Sequence, residues 1–133
     1  MLVVDSSVWI NFFRGTVDPR TDELGRLLHG SDVRIVVPDL VLFEVLRGFR
    51  LDSEHRRAHG LLEVFGIEAT GGAALAVSAA GHYRVLRAVG RTVRGPIDAL
   101  IAAHCIERDY LLLHNDRDFD AYSIHCGLRS WLH

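Results

Sequence analysis

Four carboxylates stand at comparable places along the chain. Asp5 ends the apolar run Leu2-Val3-Val4, and Asp116 follows the apolar run that closes at Leu113. Glu44 interrupts the apolar stretch 40–46, and Asp98 stands two residues after Pro96, where a helix would begin. In open α/β sheets, ligands bind beyond the carboxyl ends of the strands. Acids that end strands, or start the helices after them, face that edge. Carboxylates a few Å apart oppose one another's ionisation, so a cluster of them requires a counter-charge. A hard divalent cation supplies it. Mg²⁺ takes oxygen ligands, keeps several waters and usually binds one or two carboxylates together with a substrate phosphate. One or two such ions activate a water and stabilise the attacking and leaving oxygens of a phosphodiester.

Each acid also has a structural use that the sequence leaves open. Asp5 can cap the helix after it, and Asp98 suits the positive end of a helix dipole. Asp116 and Asp118 suit a turn, and Glu44 can pair with Arg47 one turn on. Glu44 is the hardest to explain this way, because a charge in a nearly continuous apolar helix needs a partner if it is buried. Ser7 reads first as a cap and Cys105 as a small core residue. His104 lies on an apolar face and reads as a packed, hydrogen-bonded core histidine; Trp9 and Tyr83 read as core aromatics. The eight histidines form no HExxH and no Cys/His ligand spacing, so zinc is not indicated.

The elements that must position these acids follow from periodicity and punctuation. Residues 2–4 read as a buried strand, and Ser6 or Ser7 caps a helix over 8–14 that stops near Gly15. Thr21 or Asp22 opens a helix with Leu24, Leu27 and Leu28 on one face, ending at Gly30. A strand over 34–37 leads to a helix from Pro38-Asp39 through Leu46, closed by Gly48. Asp52 or Ser53 starts a helix to about Phe65, and 67–70 reads as a third strand. A long helix follows Gly71-Gly72, with Leu75, Ala79, Tyr83, Leu86 and Val89 on one face. Residues 91–95 form a polar, arginine-bearing loop. Pro96 then starts a helix with Ile97, Leu100, Ile101, His104 and Cys105 on one face. Residues 110–113 read as a fourth strand, 116–122 as a turn or short helix, and 128–131 as a last strand. Short apolar strands alternating with helices predict an α/β fold with a mainly parallel sheet.

The 133 residues suit a single domain, 1–133. A hydrophobic fraction of 49% with 24% charged residues excludes a disordered chain. No apolar run is long enough to span a bilayer, and the opening residues lack a basic n-region, so no signal peptide is expected. Cys105 and Cys126 are far from any CxxC spacing and read as reduced thiols of a cytoplasmic protein. The net charge is −2, so no overall positive field advertises nucleic acid, although all 15 basic residues are arginine.

In combination these residues resemble the PIN-domain family, and most closely its VapC toxins. The resemblance rests on VVDSSVWI at 3–10, PDLVLFEVLRG at 38–48, GPIDALIAAHC at 95–105 and LLLHNDRDFD at 111–120, in the family's order and across essentially the whole chain. It implies a three-layer α/β/α fold with a mainly parallel sheet of four to five strands. It also implies a metal-dependent endoribonuclease, the toxin of a type II toxin–antitoxin pair. By that resemblance Asp5, Asp98 and Asp116 match acids that hold Mg²⁺ or Mn²⁺, and Glu44 matches the acid that helps hold metal or activate water. Ser7 matches a hydroxyl that orients water or phosphate, and Asp118 a neighbour that contributes through water. Where many relatives carry Thr or Ser, this chain has His114, whose imidazole is the replacement candidate for that hydroxyl. The implied partners are RNA, a cognate VapB-type antitoxin and a second copy of the chain, in a homodimer and a toxin–antitoxin hetero-oligomer. No membrane is implied. Arg14, Arg91, Arg94 and Arg117 fall in loops near the expected rim and are the RNA-binding candidates. Trp9, Phe12 and Phe13 suit either an antitoxin contact or the core.

Other acidic α/β folds fit less well. A receiver-type domain requires an acidic pair at the first strand and a later lysine, and the chain has neither. A Rossmann-type binder requires a glycine-rich turn where Asp5-Ser6-Ser7-Val8 stands. A haloacid-dehalogenase-like phosphatase requires DxD, and Ser7 occupies the third place. The alternative to an enzyme is a PIN-like module without catalysis that binds RNA or protein.

Overall fold

The run that ends at Asp5 forms β1 (Leu2–Val4), and it occupies the middle of the sheet. The computed structural model describes residues 1–132. After β1 come α1 (Ser6–Phe13), α2 (Pro19–Leu28), β2 (Ile35–Pro38), α3 (Asp39–Arg47) and α4 (Asp52–Val64). Then follow β3 (Ile67–Glu68), α5 (Gly72–Ala88), α6 (Pro96–Arg108), β4 (Leu111–Leu113), α7 (Arg117–Cys126) and β5 (Arg129–Ser130). The strand order is β3-β2-β1-β4-β5 and every pairing is parallel. Val3 is in register with Val36 on one side and Leu112 on the other. That register brings the carboxyl ends of β1, β2 and β4 to one edge, and with them Asp5, the start of α3 and the segment leading to Asp116.

Because helices cover both faces of the sheet, the β1 run is apolar throughout rather than alternating. Leu2, Val3, Val37, Leu112 and Leu113 are fully buried. The helices form two packing groups, α1 to α4 and α5 to α7, joined where α3 meets α6, which gives the α/β/α architecture. Trp9 is fully buried, with its ring 6.0 Å from Phe13 and 5.9 Å from Phe65. It is a core residue, and its truncation to Ala should cost about 3–5 kcal/mol. Phe12 and Phe13 are partly buried against the same core.

Several local expectations need correction. Neither Ser6 nor Ser7 caps α1; Asp5 does, accepting from the Ser7 backbone N–H. An Asp can both cap a helix and stay in reach of other groups through its second oxygen. Helix α2 starts earlier than Thr21, because Asp18 caps it and Pro19 takes its first position, while Thr21 closes a capping box. Val89 ends outside α5 and is 51% exposed, so it does not continue the helix's buried face. The segment from Asp116 is a full helix, α7, buried through Phe119, Ala121 and Tyr122.

Candidate active site

Asp5 extends β1 by one residue, its N–H donating to the Leu113 carbonyl at 2.9 Å. This bond fixes the side chain at the junction of β1, β4 and α1. Asp5 is 3% exposed. Its Oδ2 accepts from Ser7 Oγ at 2.6 Å and from the Ser7 backbone N–H at 3.3 Å. Its Oδ1 is buried without a hydrogen-bond partner among the described residues. A buried carboxylate oxygen left without a donor is costly unless a cation or water meets it.

Glu44 lies in the second half of α3, on the face turned toward α1. Its Oε1 accepts from Ser6 Oγ at 2.9 Å, and Arg47 Nη2 lies 3.6 Å from its Oε2. The ion pair read from the sequence therefore exists, and the Arg47 side chain is mostly solvent-exposed. Glu44 also takes part in the cluster: Asp5, Glu44 and Asp98 each offer an oxygen, and these oxygens lie within 4.8 Å of one another. Asp98 reaches the group from the first turn of α6. Its carboxylate folds over Gly95, where a Cβ would stand 2.6 Å from Asp98 Oδ2.

The electrostatics match that geometry. Burial pushes the Asp5 carboxyl up to about 6, against the Ser7 hydrogen bonds that favour its charge, and the Glu44 charge adds to the rise. Burial likewise pushes Asp98 up to about 7, assisted by the charges of Asp5, Glu44, Asp116 and Asp118 in that order. Three carboxylates are thus brought together where burial and neighbouring charge oppose the ionised forms of Asp5 and Asp98.

Asp116 stands outside the set of three and acts on Asp98 through its charge. It caps α7, with Oδ1 accepting from the Asp118 N–H at 2.9 Å. His114 is fully buried; its Nδ1 accepts from the Asp116 N–H at 3.3 Å and its Nε2 lies 3.1 Å from Ser130 Oγ. It braces the turn that presents Asp116. Arg91 and Arg117 line a shallow hollow of about 240 Å³ beside Asp118. Arg94 lines a separate groove between α5 and α6, and Arg14 a depression by Gly48 on the other side.

Sequence reasoning missed two residues of the site. Ser6, treated only as a cap, holds Glu44, and the doubled serine after Asp5 was its one signal. Gly95 makes room for Asp98, a role that appears only once the turn before α6 is built. His104 is a buried core histidine as expected, and Glu68 proves to be its partner. Its Nε2 lies 2.9 Å from Glu68 Oε1, which also receives the Tyr110 hydroxyl and Arg108. This network lies apart from the three acids.

Comparison with known proteins agrees with the fold. The family model described as PIN domain matches residues 2–124. Ribonuclease VapC11 of Mycobacterium tuberculosis is 34% identical over 120 residues, covering 90% of each chain, and a VapC ribonuclease of Mycobacterium bovis matches equally. Among solved structures, VapBC2 from Rickettsia felis, bound to a DNA fragment from its promoter, superposes with a TM-score of 0.76 at 16% identity, covering 98% of this chain and 96% of that one. FitAcB from Neisseria gonorrhoeae superposes with a TM-score of 0.75 at 15% identity and the same coverage. At such identities the structural likeness speaks for the fold.

Proposed function

The chain belongs to the PIN domain family, and from that premise we propose that it is a metal-dependent endoribonuclease, the toxin of a type II toxin–antitoxin pair. One observation carries this reading: Asp5, Glu44 and Asp98 converge within 4.8 Å, and the buried Asp5 Oδ1 has no donor among the described residues. The ribonuclease names of its relatives support RNA as substrate.

The residues present fit a hard divalent ion, Mg²⁺ or Mn²⁺, because the donors are all carboxylate oxygens and one is buried and unpaired. Asp5 and Asp98 would hold it, with Asp116 contributing from the start of α7. The ion supplies Lewis acidity and a counter-charge for hydrolysing a phosphodiester. The chain's own groups do the rest. Ser7 fixes the Asp5 rotamer through the 2.6 Å bond. Ser6 and Arg47 hold Glu44 from both of its oxygens, which places it to accept a proton from an attacking water. Asp118 and the Arg91–Arg117 hollow lie at the rim, where a phosphate would enter. His114 keeps the Asp116 turn in place.

The VapBC complexes among the structural neighbours support an antitoxin as partner. In this reading the chain forms one domain over 1–133, works in the cytoplasm, and pairs with a second copy and with a VapB-type antitoxin. No helix among the described residues is long and apolar enough to cross a membrane.

The test is cleavage of total cellular RNA by the purified chain with Mg²⁺ or Mn²⁺, with EDTA, and beside Asp5→Asn. Discrete fragments that need both metal and Asp5 are expected. Intact RNA with folded, metal-loaded protein would turn the reading to a PIN-like module that binds RNA or protein without catalysis.

A further inference from the structure

A groove of about 610 Å³ runs between α5 and α6, floored by Ala79, Ala80 and Ala99 and edged by Tyr83, Arg87 and Arg94. It reaches the first turn of α6, which turns Pro96 and Ala99 to the groove and carries Asp98 on another face. Tyr83, read from the sequence as a core aromatic, is only half-buried, and the Arg87 guanidinium stacks over its ring, 5.3 Å from the centroid. Residues 69–97 carry Arg84, Arg87, Arg91 and Arg94 and no Asp or Glu, in a chain whose net charge is −2. Among the described residues none of these four arginines forms an ion pair. The chain has therefore gathered unpaired positive charge on the segment that leads directly into one of the three clustered acids.

We propose that this groove seats a single-stranded segment of the RNA next to the phosphate held at the acids. The proposal rests on the ribonuclease reading and adds where the strand lies and which form of it is accepted. Arg84, Arg87 and Arg94 meet phosphates, and an unpaired base stacks on the Tyr83–Arg87 surface. Arginine planes and aromatic rings are the usual stacking partners of unstacked bases, and a duplex cannot offer one. The small-residue floor leaves room for a flat ring. A second copy of the chain fits this face worse. An isologous contact would set the same arginines against each other, with no acid between 69 and 97 to pair them.

The test is fluorescence anisotropy in EDTA with a labelled single-stranded RNA of about a dozen nucleotides, a length within the range of single-strand binding sites. The variants are Arg87→Ala with Arg94→Ala, Tyr83→Ala, Tyr83→Phe, and Arg56→Ala with Arg57→Ala on α4 as the charge control. The double groove variant should bind about tenfold more weakly, and its log affinity should depend on log salt less steeply by about 1.4, two phosphate contacts' worth for a single strand. Tyr83→Ala should lose roughly tenfold and Tyr83→Phe should restore it, because stacking needs the ring and not the hydroxyl. The proposal is overturned if the groove variants bind as wild type, if the α4 control loses as much as they do, or if the groove variants change the oligomeric state in light scattering. Groove-dependent binding by a chain that never cleaves RNA would sink the nuclease reading and leave this one standing.

Discussion

Asp98 folds so closely over Gly95 that a methyl group on Gly95 would stand 2.6 Å from its Oδ2 and 3.0 Å from its Cγ. Gly95 has an ordinary extended backbone, with φ −92, so alanine is compatible with the main chain and only the approach is lost. Gly95→Ala should leave the fold intact and turn Asp98 away from Asp5 and Glu44. Metal affinity, read by Mn²⁺ titration, should fall about 10- to 100-fold, the usual range for displacing a supporting contact. Unchanged affinity would show that the tight packing at Gly95 does not set the Asp98 position.

Asp5→Asn and Asp98→Asn should each abolish metal-dependent RNA cleavage while the circular dichroism of the fold persists. Each removes one charge from a cluster whose members repel. In EDTA, Asp98→Asn should therefore raise the melting temperature by about a few degrees. Full activity in either variant at ordinary Mg²⁺ would dismiss the site.

The pH dependence has a definite sign. Asp5 and Asp98 are raised from 3.8 to about 6 and about 7. A carboxyl raised in the folded state binds its proton more tightly there than in the unfolded chain. The stability it contributes is complete below about pH 4 and is lost as pH climbs through 6 to 7. The metal-free protein should melt at lower temperature at pH 7.5 than at pH 5, and either Asn variant should flatten the slope. Saturating Mg²⁺ should also flatten it, because the ion binds the ionised carboxylates of the folded chain. A metal-free protein that gains stability across this window would contradict the burial of these groups.

Glu44→Gln should lower cleavage sharply and leave stability unchanged or raised. Gln keeps an acceptor for Ser6 Oγ, removes a charge from the cluster and gives up only a long pair, at 3.6 Å, whose Arg47 end is solvent-exposed, worth about 0–1 kcal/mol. Arg47→Ala should accordingly shift urea unfolding by less than about 1 kcal/mol. A large loss in either would mean that the Glu44–Arg47 pair is the main reason for the acid.

Glu68→Ala should do the opposite, costing stability and sparing activity. Glu68 receives His104, Tyr110 and Arg108, and burial holds His104 below its usual range, with Glu68 as the opposing influence. Removing the acceptor strands a buried imidazole at a cost of about 1–3 kcal/mol. RNA cleavage well below the melting temperature should match wild type.

The parts legible from sequence are those where burial writes a plain signal. Leu2-Val3-Val4 is buried on both faces, so its run is unbroken and its end at Asp5 is visible. Pro96 fixes the start of α6 and so the place of Asp98. Glu44 stood out because an acid in an apolar helix needs a reason. The sequence left the cap of α1 open among Asp5, Ser6 and Ser7, because all three types are good caps and only backbone geometry chooses Asp5. Helix α7 was read as a turn or short helix because its acids mask three buried residues, Phe119, Ala121 and Tyr122. The strand read over 67–70 is present but spans only Ile67–Glu68, the two residues that pair with Val37 and Pro38. Glu68 and Ser6 gain meaning from residues more than thirty positions away, and so could not be found from spacing.

The central place of β1 has a consequence for how the protein is made. The strand carrying Asp5 is synthesised long before β4, one of its two neighbours in the sheet. Until Leu113 has emerged, β1 keeps an open edge and the Asp5 N–H lacks its acceptor. A chain stalled or cut before that point lacks the β1–β4 pairing, so the Asp5 carboxylate is seated only after the residues up to Leu113 have been made.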